Sequence, residues 1–219
     1  MKVLFIRHGD VDWQTVDGKN ISGHGRELAP LSGMGRVQIE AIANDFRLQE
    51  AEAMLCSSYA RALESAALLN RHLGLDLHVE YDLHEWLAQK NPLKKLDSKT
   101  AQKARQDLMY YTGILNFPDR RMNRNPTAYH GSERRLPIAE RVMPPPEKRT
   151  WESLEEVRAR ALSALQKYQH YRCVVVVAHA VVIACLVGLQ RHINHAEIIE
   201  CDLDMHTGKV LELAKMTIH

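Results

Sequence analysis

The stretch VLFIRHGD, residues 3–10, places four apolar residues directly before Arg7, His8 and Gly9. The segment 3–6 is rich in β-branched and aromatic residues and is too short for a helix, which predicts a strand that is apolar on both faces. Open α/β sheets bind their ligands at the carboxyl ends of their strands. An Arg-His pair is more often a polar turn after a core strand, so it indicates a binding site only if other residues join it.

The rest of the chain alternates strand-like and helix-like segments. We predict further strands over 53–57, 77–81, 173–178, 198–203 and 210–214, and helices over 31–48, 60–72, 154–168 and 181–190. Ser153 and Glu156 form a capping-box pattern where the third of these helices begins. The alternation indicates an α/β fold, and we expect a single domain over 1–219, built as a three-layer α/β/α sandwich with a mostly parallel central sheet.

Residues 86–150 interrupt this alternation and are predicted to form a basic insertion or cap within the domain. Residues 90–149 contain 14 Lys or Arg against 6 Asp or Glu, a net charge of +8, whereas the rest of the chain contains 15 against 21. Two interpretations stay open for this charge. It is either an ordinary solvated surface or a funnel that steers an anionic substrate toward a site.

The composition limits the class of protein. A chain of 219 residues that is 45% hydrophobic can bury one substantial core. Its four cysteines form no CxxC pair, which favours buried thiols in a reducing compartment over a disulfide or zinc framework. The apolar runs are too short to span a bilayer, so we expect a cytoplasmic protein without a membrane partner. A formal net charge of +2 gives no reason to expect a nucleic-acid partner.

Residues at the ends of other predicted strands supply partners for Arg7 and His8. A second predicted strand ends directly before His179, and Arg61 lies early in a helix that follows a third. Free backbone N–H groups and the helix dipole favour an anion at such a position. Guanidinium groups match phosphate oxygens, and a neutral imidazole can attack phosphorus. Glu85 follows the next predicted strand, where a carboxyl group can protonate a leaving group and then deprotonate water.

Six segments, in this order along the chain, resemble motifs of the histidine phosphatase superfamily, the phosphoglycerate mutase-like group. RHGDVDW at 7–13 is similar to R-H-G-E-T-x-W, LSGMGRVQ at 31–38 to L-T-x-x-G-x-x-Q, and CSSYARALESA at 56–66 to S-S-P-L-x-R-A-x-x-T-A. LHE at 83–85 matches L-x-E, WES at 151–153 is similar to G-E-S, and VVVVAH at 174–179 is similar to a strand that ends in H-G. The resemblance spans nearly the whole chain except residues 86–150.

The resemblance implies a role for each of these residues. It implies that His8 is the nucleophile that becomes phosphohistidine and that Glu85 is the acid and base. Arg7, Arg61 and His179 would bind the phosphoryl group, with His179 as the third member of the catalytic set. The family's reaction uses no cofactor, and the sequence shows no HExxH-type spacing for a metal.

The sequence departs from the family pattern at positions near the expected site. Gln14 stands where the family often has Asn, and its amide can reach a phosphate oxygen, so we include it among the substrate-binding residues. Ala180 follows His179 where Gly is expected, which is harmless if the backbone φ of Ala180 is negative. Neither change removes a group that the chemistry needs.

We therefore expect a phosphomonoesterase that hydrolyses a small phosphorylated metabolite through a phosphohistidine, with the oligomeric state left open. One alternative is a mutase that returns the phosphoryl group to a second hydroxyl. Mutases of this family carry an Arg-Arg pair shortly before Pro-Pro-Pro, and Arg134 and Arg135 match this only loosely because Pro144 lies well beyond them. A second alternative is a non-catalytic module that only binds phosphorylated ligands.

The remaining histidines are interpreted as surface or core residues, although His24 could line the pocket. The set comprises His24, His72, His78, His84, His130, His170, His192, His195, His206 and His219. If residues 83–85 formed a strand, the His84 side chain would point away from that of Glu85.

Overall fold

The computed structural model describes residues 1–21, 23–91, 149–188 and 192–213, together with residues 94, 100, 101, 103, 104 and 108. Most of the predicted insertion over 86–150 lies outside the described residues. The Arg134, Arg135 and Pro144 positions on which the mutase alternative depends lie there as well.

The described strands form one six-stranded sheet. They are β1 (Lys2–Arg7), β2 (Ala53–Ser57), β3 (Asp76–Glu80), β4 (Cys173–Ala178), β5 (Ile198–Leu203) and β6 (Val210–Leu213). Their order in the sheet is β3-β2-β4-β1-β5-β6, and the first four strands are parallel to one another. β5 runs antiparallel to both β1 and β6. The prediction of a mostly parallel sheet is therefore confirmed.

Five α-helices begin and end within the described residues. They are α1 (Gln14–Asp17), α2 (Gly33–Ile42), α3 (Ala60–Leu73), α4 (Leu154–Gln166) and α5 (Ala180–Val187). Short 3-10 helices cover Gly23–Leu28, Phe46–Glu50 and Tyr81–Leu83. The capping box predicted at Ser153 is confirmed, because its hydroxyl accepts from the Glu156 N–H and the Glu156 carboxylate accepts from the Ser153 N–H.

Three predicted helices end earlier than expected, and the one predicted over 154–168 stops at Gln166. The helix predicted over 31–48 stops at Ile42, and Asp45 is extended and accepts a hydrogen bond from the N–H of Arg47. A short polar side chain that bonds to the following backbone offers an alternative to continued helix. The helix predicted over 181–190 stops at Val187 because Gly188 is left-handed, with φ of 70°. Residues 189–191 and residue 214 lie outside the described part of the chain.

The central strands are apolar on both faces because each face is covered by helices. In β1, Val3 and Phe5 pack on one side, whereas Leu4 and Ile6 pack on the other. Residues of α4 and α5 complete the first cluster, and residues of α2 and α3 complete the second. This is the expected α/β/α sandwich, and all of the β1 side chains named here are fully buried.

Two further expectations concern thiols and membranes. All four cysteines are free, and Cys56, Cys173 and Cys201 are buried while Cys185 is partly exposed. Burial raises the pKa of Cys173 to about 11 and that of Cys56 and Cys201 to about 12, so these thiols are protonated at neutral pH. No helix in the described ranges is long and apolar enough to cross a membrane.

Candidate active site

His8 and His179 lie side by side at the carboxyl edge of the sheet. β1 and β4 are parallel neighbours with Arg7 opposite Ala178, so the residue after each strand reaches the same level. The His8 N–H donates to the Ala178 carbonyl at 3.1 Å, and the two imidazole centroids are 5.1 Å apart. His8 is 5% exposed and His179 is fully buried. The two strand ends therefore meet as the sequence predicted, and the roles of the two rings stay predictions.

The His8 imidazole is held in one tautomer. Its Nδ1 lies 2.7 Å from the carbonyl oxygen of Gly9, which can only accept a hydrogen bond, so Nδ1 carries the proton and Nε2 keeps a lone pair. Burial lowers the pKa of His8 well below its usual range, and the charges of Arg61 and Arg7 lower it further. A neutral ring with a lone pair on Nε2 is a competent nucleophile.

The segment LSGMGRVQ positions the chain that follows His8. The Asp10 N–H donates to the Gln38 side-chain oxygen at 2.9 Å, and the Ser32 hydroxyl donates to the Asp10 carboxylate at 2.8 Å. α2 approaches so closely that a Cβ atom on Gly35 would lie 2.1 Å from the Asp10 carbonyl oxygen, and one on Gly9 would lie 2.4 Å from the Gly35 carbonyl oxygen. Only glycine fits at this crossing of two backbones.

The two ring nitrogens of His179 have different surroundings. Its Nε2 lies 2.8 Å from the Ser57 hydroxyl at the end of β2, while its buried Nδ1 has no hydrogen-bond partner among the described residues. Burial lowers the pKa of His179 well below its usual range, and Arg61 and His8 add to this effect. Ala180, the first residue of α5, is not among the positive-φ residues of the described chain, so the substitution of Gly by Ala is tolerated there as expected.

The two arginines bring positive charge to both histidines. Arg61 is 4% exposed and lies at the second position of α3, where its guanidinium carbon is 5.1 Å from the Tyr59 ring centroid and 5.6 Å from that of Trp13. One of its nitrogens donates to the Glu27 carboxylate at 2.6 Å. Arg7 ends β1 and donates to the Ile193 carbonyl.

The Glu85 carboxyl group follows the 3-10 helix after β3. One of its oxygens accepts from the Trp86 N–H at 2.9 Å. Burial raises the pKa of Glu85, and this effect exceeds the opposing influence of the Trp86 N–H, Arg61 and Arg7. A carboxyl group with a raised pKa keeps its proton at a higher pH, as a general acid requires.

A buried ion pair fixes the segment that carries Glu85. Arg160 of α4 makes a two-point contact with the Glu152 carboxylate, at 2.8 and 3.0 Å, and also donates to the Asp82 carbonyl at 2.6 Å. The same carboxylate accepts from the Leu87 N–H at 2.8 Å. The motif WES at 151–153 has no role that its residues predict, and the structure shows that Glu152 supports the Glu85 segment.

His195 was interpreted as a surface or core histidine, and the structure places it beside the expected nucleophile. Its ring centroid is 5.5 Å from that of His8, and its Nδ1 is 3.9 Å from the Asp10 carboxylate. The residue after it, Ala196, has a left-handed φ of 58° and donates its N–H to the Arg7 carbonyl. The missing signal was the direction of β5, because only an antiparallel β5 begins at the edge where β1 ends.

Other expected residues have less direct connections. Gln14 begins α1 with an exposed side chain, and its contribution to substrate binding stays a prediction. His84 is 3% exposed, and its ring stacks on that of Tyr59 at 5.9 Å and contacts the tilted ring of Tyr81 at 4.9 Å. Its segment is not a strand, so the expected alternation between His84 and Glu85 does not apply.

Within the described ranges, no group of three His, Cys, Asp or Glu side chains is arranged to hold a metal ion.

Comparison with known families agrees with this geometry. Residues 3–110 match the family model of the histidine phosphatase superfamily, branch 1. The segment 3–110 belongs to the histidine phosphatase superfamily, and the protein is an enzyme of that kind. The matched residues include β1, α2, β2, α3 and the Glu85 segment.

Solved structures share the fold along almost the whole chain. A mycobacterial glucosyl-3-phosphoglycerate phosphatase in complex with inorganic phosphate is 18% identical, with a TM-score of 0.62 over 98% of this chain and 95% of its own. YhfR of Bacillus stearothermophilus is 17% identical, with a TM-score of 0.61 over 98% and 96%. A putative alpha-ribazole-5'-P phosphatase from Escherichia coli K-12 is 20% identical, with a TM-score of 0.56 over 98% and 94%. A search of curated protein sequences found no match.

Proposed function

We propose that the protein is a phosphomonoesterase that hydrolyses a small phosphorylated metabolite through a phosphohistidine on His8, without a cofactor. The observation that carries this proposal is the state of the His8 ring, which is neutral, nearly buried and bonded through Nδ1 to the Gly9 carbonyl. Binding alone does not need a neutral imidazole with a lone pair beside two arginines.

In the first step, Arg7, Arg61 and the Nδ1 atom of His179 hold the phosphoryl oxygens. The Nε2 atom of His8 attacks phosphorus, the bond between phosphorus and the ester oxygen breaks, and phosphohistidine forms. The departing oxygen takes the proton of Glu85, so the alcohol leaves as a neutral molecule. Guanidinium groups that face the transferring phosphoryl group stabilise the charge that develops in the transition state.

In the second step, water replaces the alcohol. Glu85, now ionised, takes a proton from the water as its oxygen attacks phosphorus, and the bond between phosphorus and the His8 nitrogen breaks. Inorganic phosphate leaves, His8 is again neutral and Glu85 is again protonated. The raised pKa of Glu85 suits both directions of proton transfer.

The names of the structural neighbours support this reaction class. Three of them are called phosphatases of phosphorylated small molecules, and the mycobacterial protein has been solved with inorganic phosphate and with VO3. The free cysteines support the cytoplasmic location that we propose. The mutase alternative has no support from a described contact, since Arg134, Arg135 and Pro144 lie outside the described residues.

Rapid-quench labelling tests the proposal directly. The wild-type protein, with EDTA present, should hydrolyse p-nitrophenyl phosphate and show acid-labile, base-stable phosphate after quenching. His8→Ala should lose both signals while remaining folded. His72→Ala is the matched control, because the His72 ring is exposed and pairs with the exposed Glu40 carboxylate. Full activity in His8→Ala, or phosphate on serine or cysteine, would contradict the proposal.

A further inference from the structure

A second carboxylate lies inside the arginine part of the site, and the reaction proposed above does not use it. Glu27, on the 3-10 helix Gly23–Leu28, has an oxygen 2.6 Å from a terminal nitrogen of Arg61. The Arg61 side chain is 5% exposed and that of Glu27 is 28% exposed. A bound ligand can therefore reach Glu27 while Arg61 stays enclosed between the carboxylate and the rings of Trp13 and Tyr59.

Glu27 lies on the side where the alcohol part of a substrate would leave. The Arg61 guanidinium that it contacts lies 5.1 Å from the Tyr59 ring, and the same ring is 5.9 Å from that of His84, the neighbour of Glu85. Glu27 therefore lies in the same part of the site as the proposed acid, and its negative charge raises the pKa of Glu85. The acid must reach the ester oxygen, so the atoms attached to that oxygen lie between Glu85 and the rim of the site. Glu27 therefore faces the first atoms of the alcohol beyond the ester bond.

Arg7, Arg61 and Glu27, together with a bound phosphoryl dianion, carry a net negative charge. Arg7 and Arg61 supply two positive charges, while His8 and His179 are neutral because burial lowers the pKa of each. A phosphoryl dianion matches the two guanidinium charges, and Glu27 adds a further negative charge beside them. A substrate with another anionic group near the ester would meet net negative charge in a partly buried site.

On the basis of the proposed hydrolysis, we infer that Glu27 determines the substrate class. The site accepts phosphate esters of uncharged or cationic alcohols, and it disfavours esters that carry a carboxylate close to the phosphate. A hydroxyl or ammonium group on the alcohol can donate a hydrogen bond to Glu27. A carboxylate at the same position cannot donate and is repelled.

Glycerol 3-phosphate and 3-phosphoglycerate provide a matched pair, because the hydroxymethyl group of glycerol 3-phosphate is replaced by a carboxylate in 3-phosphoglycerate. Each is tested as a competitive inhibitor of p-nitrophenyl phosphate hydrolysis by the wild-type protein. We expect glycerol 3-phosphate to bind about tenfold more tightly or better. Glu27→Gln should remove most of this difference by strengthening inhibition by 3-phosphoglycerate.

Two variants serve as controls. Asp17→Asn removes a negative charge that pairs with Arg26 of the same 3-10 helix, and it should leave the wild-type preference intact. Glu27→Asp keeps the charge and should keep the preference. If Glu27→Gln does not fold, the wild-type inhibition constants together with Glu27→Asp still test the inference.

The outcomes separate this inference from the proposed function. Turnover of p-nitrophenyl phosphate with equal inhibition by both compounds, or with inhibition by neither, overturns the inference and leaves the proposed hydrolysis standing. Equal losses for both compounds in Glu27→Gln also overturn it, because Glu27 would then only hold Arg61 in place. Absence of any turnover by the wild-type protein contradicts the proposed function itself.

Discussion

Two segments that contribute to the site are held in different ways. The loop that carries the proposed nucleophile, residues 8–12, is called the nucleophile loop. It is fixed by the close approach of the α2 backbone and by two hydrogen bonds of Asp10, one with the Ser32 hydroxyl and one with the Gln38 side-chain oxygen. The acid loop, residues 84–90, is fixed by the buried pair of Glu152 and Arg160, which approaches from beyond the predicted insertion. Tight backbone packing leaves one arrangement available, whereas an ion pair holds its loop only while both partners are charged.

The difference predicts that damage to each loop affects a different set of substrates. Every substrate needs the nucleophile, so a displaced nucleophile loop should slow hydrolysis of all phosphate esters alike. Only a poor leaving group needs the acid, so a displaced acid loop should slow hydrolysis of alkyl phosphates and spare aryl phosphates in the first step. Comparing aryl with alkyl phosphates therefore reports which loop a variant has disturbed.

Gly35→Ala should have the largest overall effect, because it should lower stability and the turnover of every substrate together. Its Cβ atom would lie 2.1 Å from the Asp10 carbonyl oxygen, so α2 and the nucleophile loop must separate. We expect the free energy of unfolding to fall by about 2 kcal/mol or more, and turnover of aryl and alkyl phosphates to fall together by about 10²-fold. Denaturant melts and steady-state kinetics measure both.

Gly33→Ala is the control for this variant. It lies in the same helix, and an added Cβ atom would meet nothing within 4 Å. We expect stability and activity close to those of the wild-type protein. Similar losses in both variants would show that the helix, rather than the contact with the nucleophile loop, was disturbed.

Glu85→Gln should give the next largest effect and should distinguish the two loops most clearly. The amide cannot donate a proton as a carboxylic acid does, so hydrolysis of alkyl phosphates should slow by roughly 10²-fold or more. Aryl phosphates should lose less in the first step because their leaving groups depart as anions. An equal and small loss on both substrate types would leave Glu85 without a catalytic role.

Glu152→Gln should loosen the acid loop without touching the reacting atoms. Arg160 would lose a charged partner at a site where the two side chains are only 8% and 13% exposed. We expect the free energy of unfolding to fall by about 2 kcal/mol, with a loss of about tenfold in alkyl phosphate turnover and little change for aryl phosphates. Glu155→Gln, which changes an exposed residue of α4, should leave both unchanged.

The smallest effect is a shift in pH dependence. Burial raises the pKa of Glu85, so turnover of alkyl phosphates should fall as the pH rises through that pKa. The pKa of His8 is lowered, so the proposed nucleophile stays neutral at pH values well below the usual pKa of histidine. The stability that the protonated Glu85 contributes is present below its unfolded pKa and is lost as pH rises through its folded pKa. Profiles of kcat/KM against pH check this, and Glu85→Gln should remove the alkaline decline. A decline that persists in that variant would assign it to another group.

Several elements could be predicted from local patterns alone. The strand before His8 and the strand before His179 are short, β-branched and apolar, so their ends were predicted within one residue. The capping box at Ser153 is likewise a local signal, because both partners lie within one turn of the chain. Helix ends were less well predicted. α2 stops at Ile42, and soon after it the Asp45 side chain accepts a hydrogen bond from the Arg47 N–H, which competes with continued helix.

The sequence by itself determined the strands, their apolar faces, the order of the motifs and the residue types at the strand ends, because side-chain periodicity and turn chemistry act over a few residues. Only the tertiary structure decided which distant groups meet. It placed His195 against His8 through the antiparallel pairing of β5, Glu27 against Arg61, and Arg160 against Glu152. Strand direction and loop packing depend on contacts between segments far apart in the chain, and no local pattern records which of many charged residues will become partners.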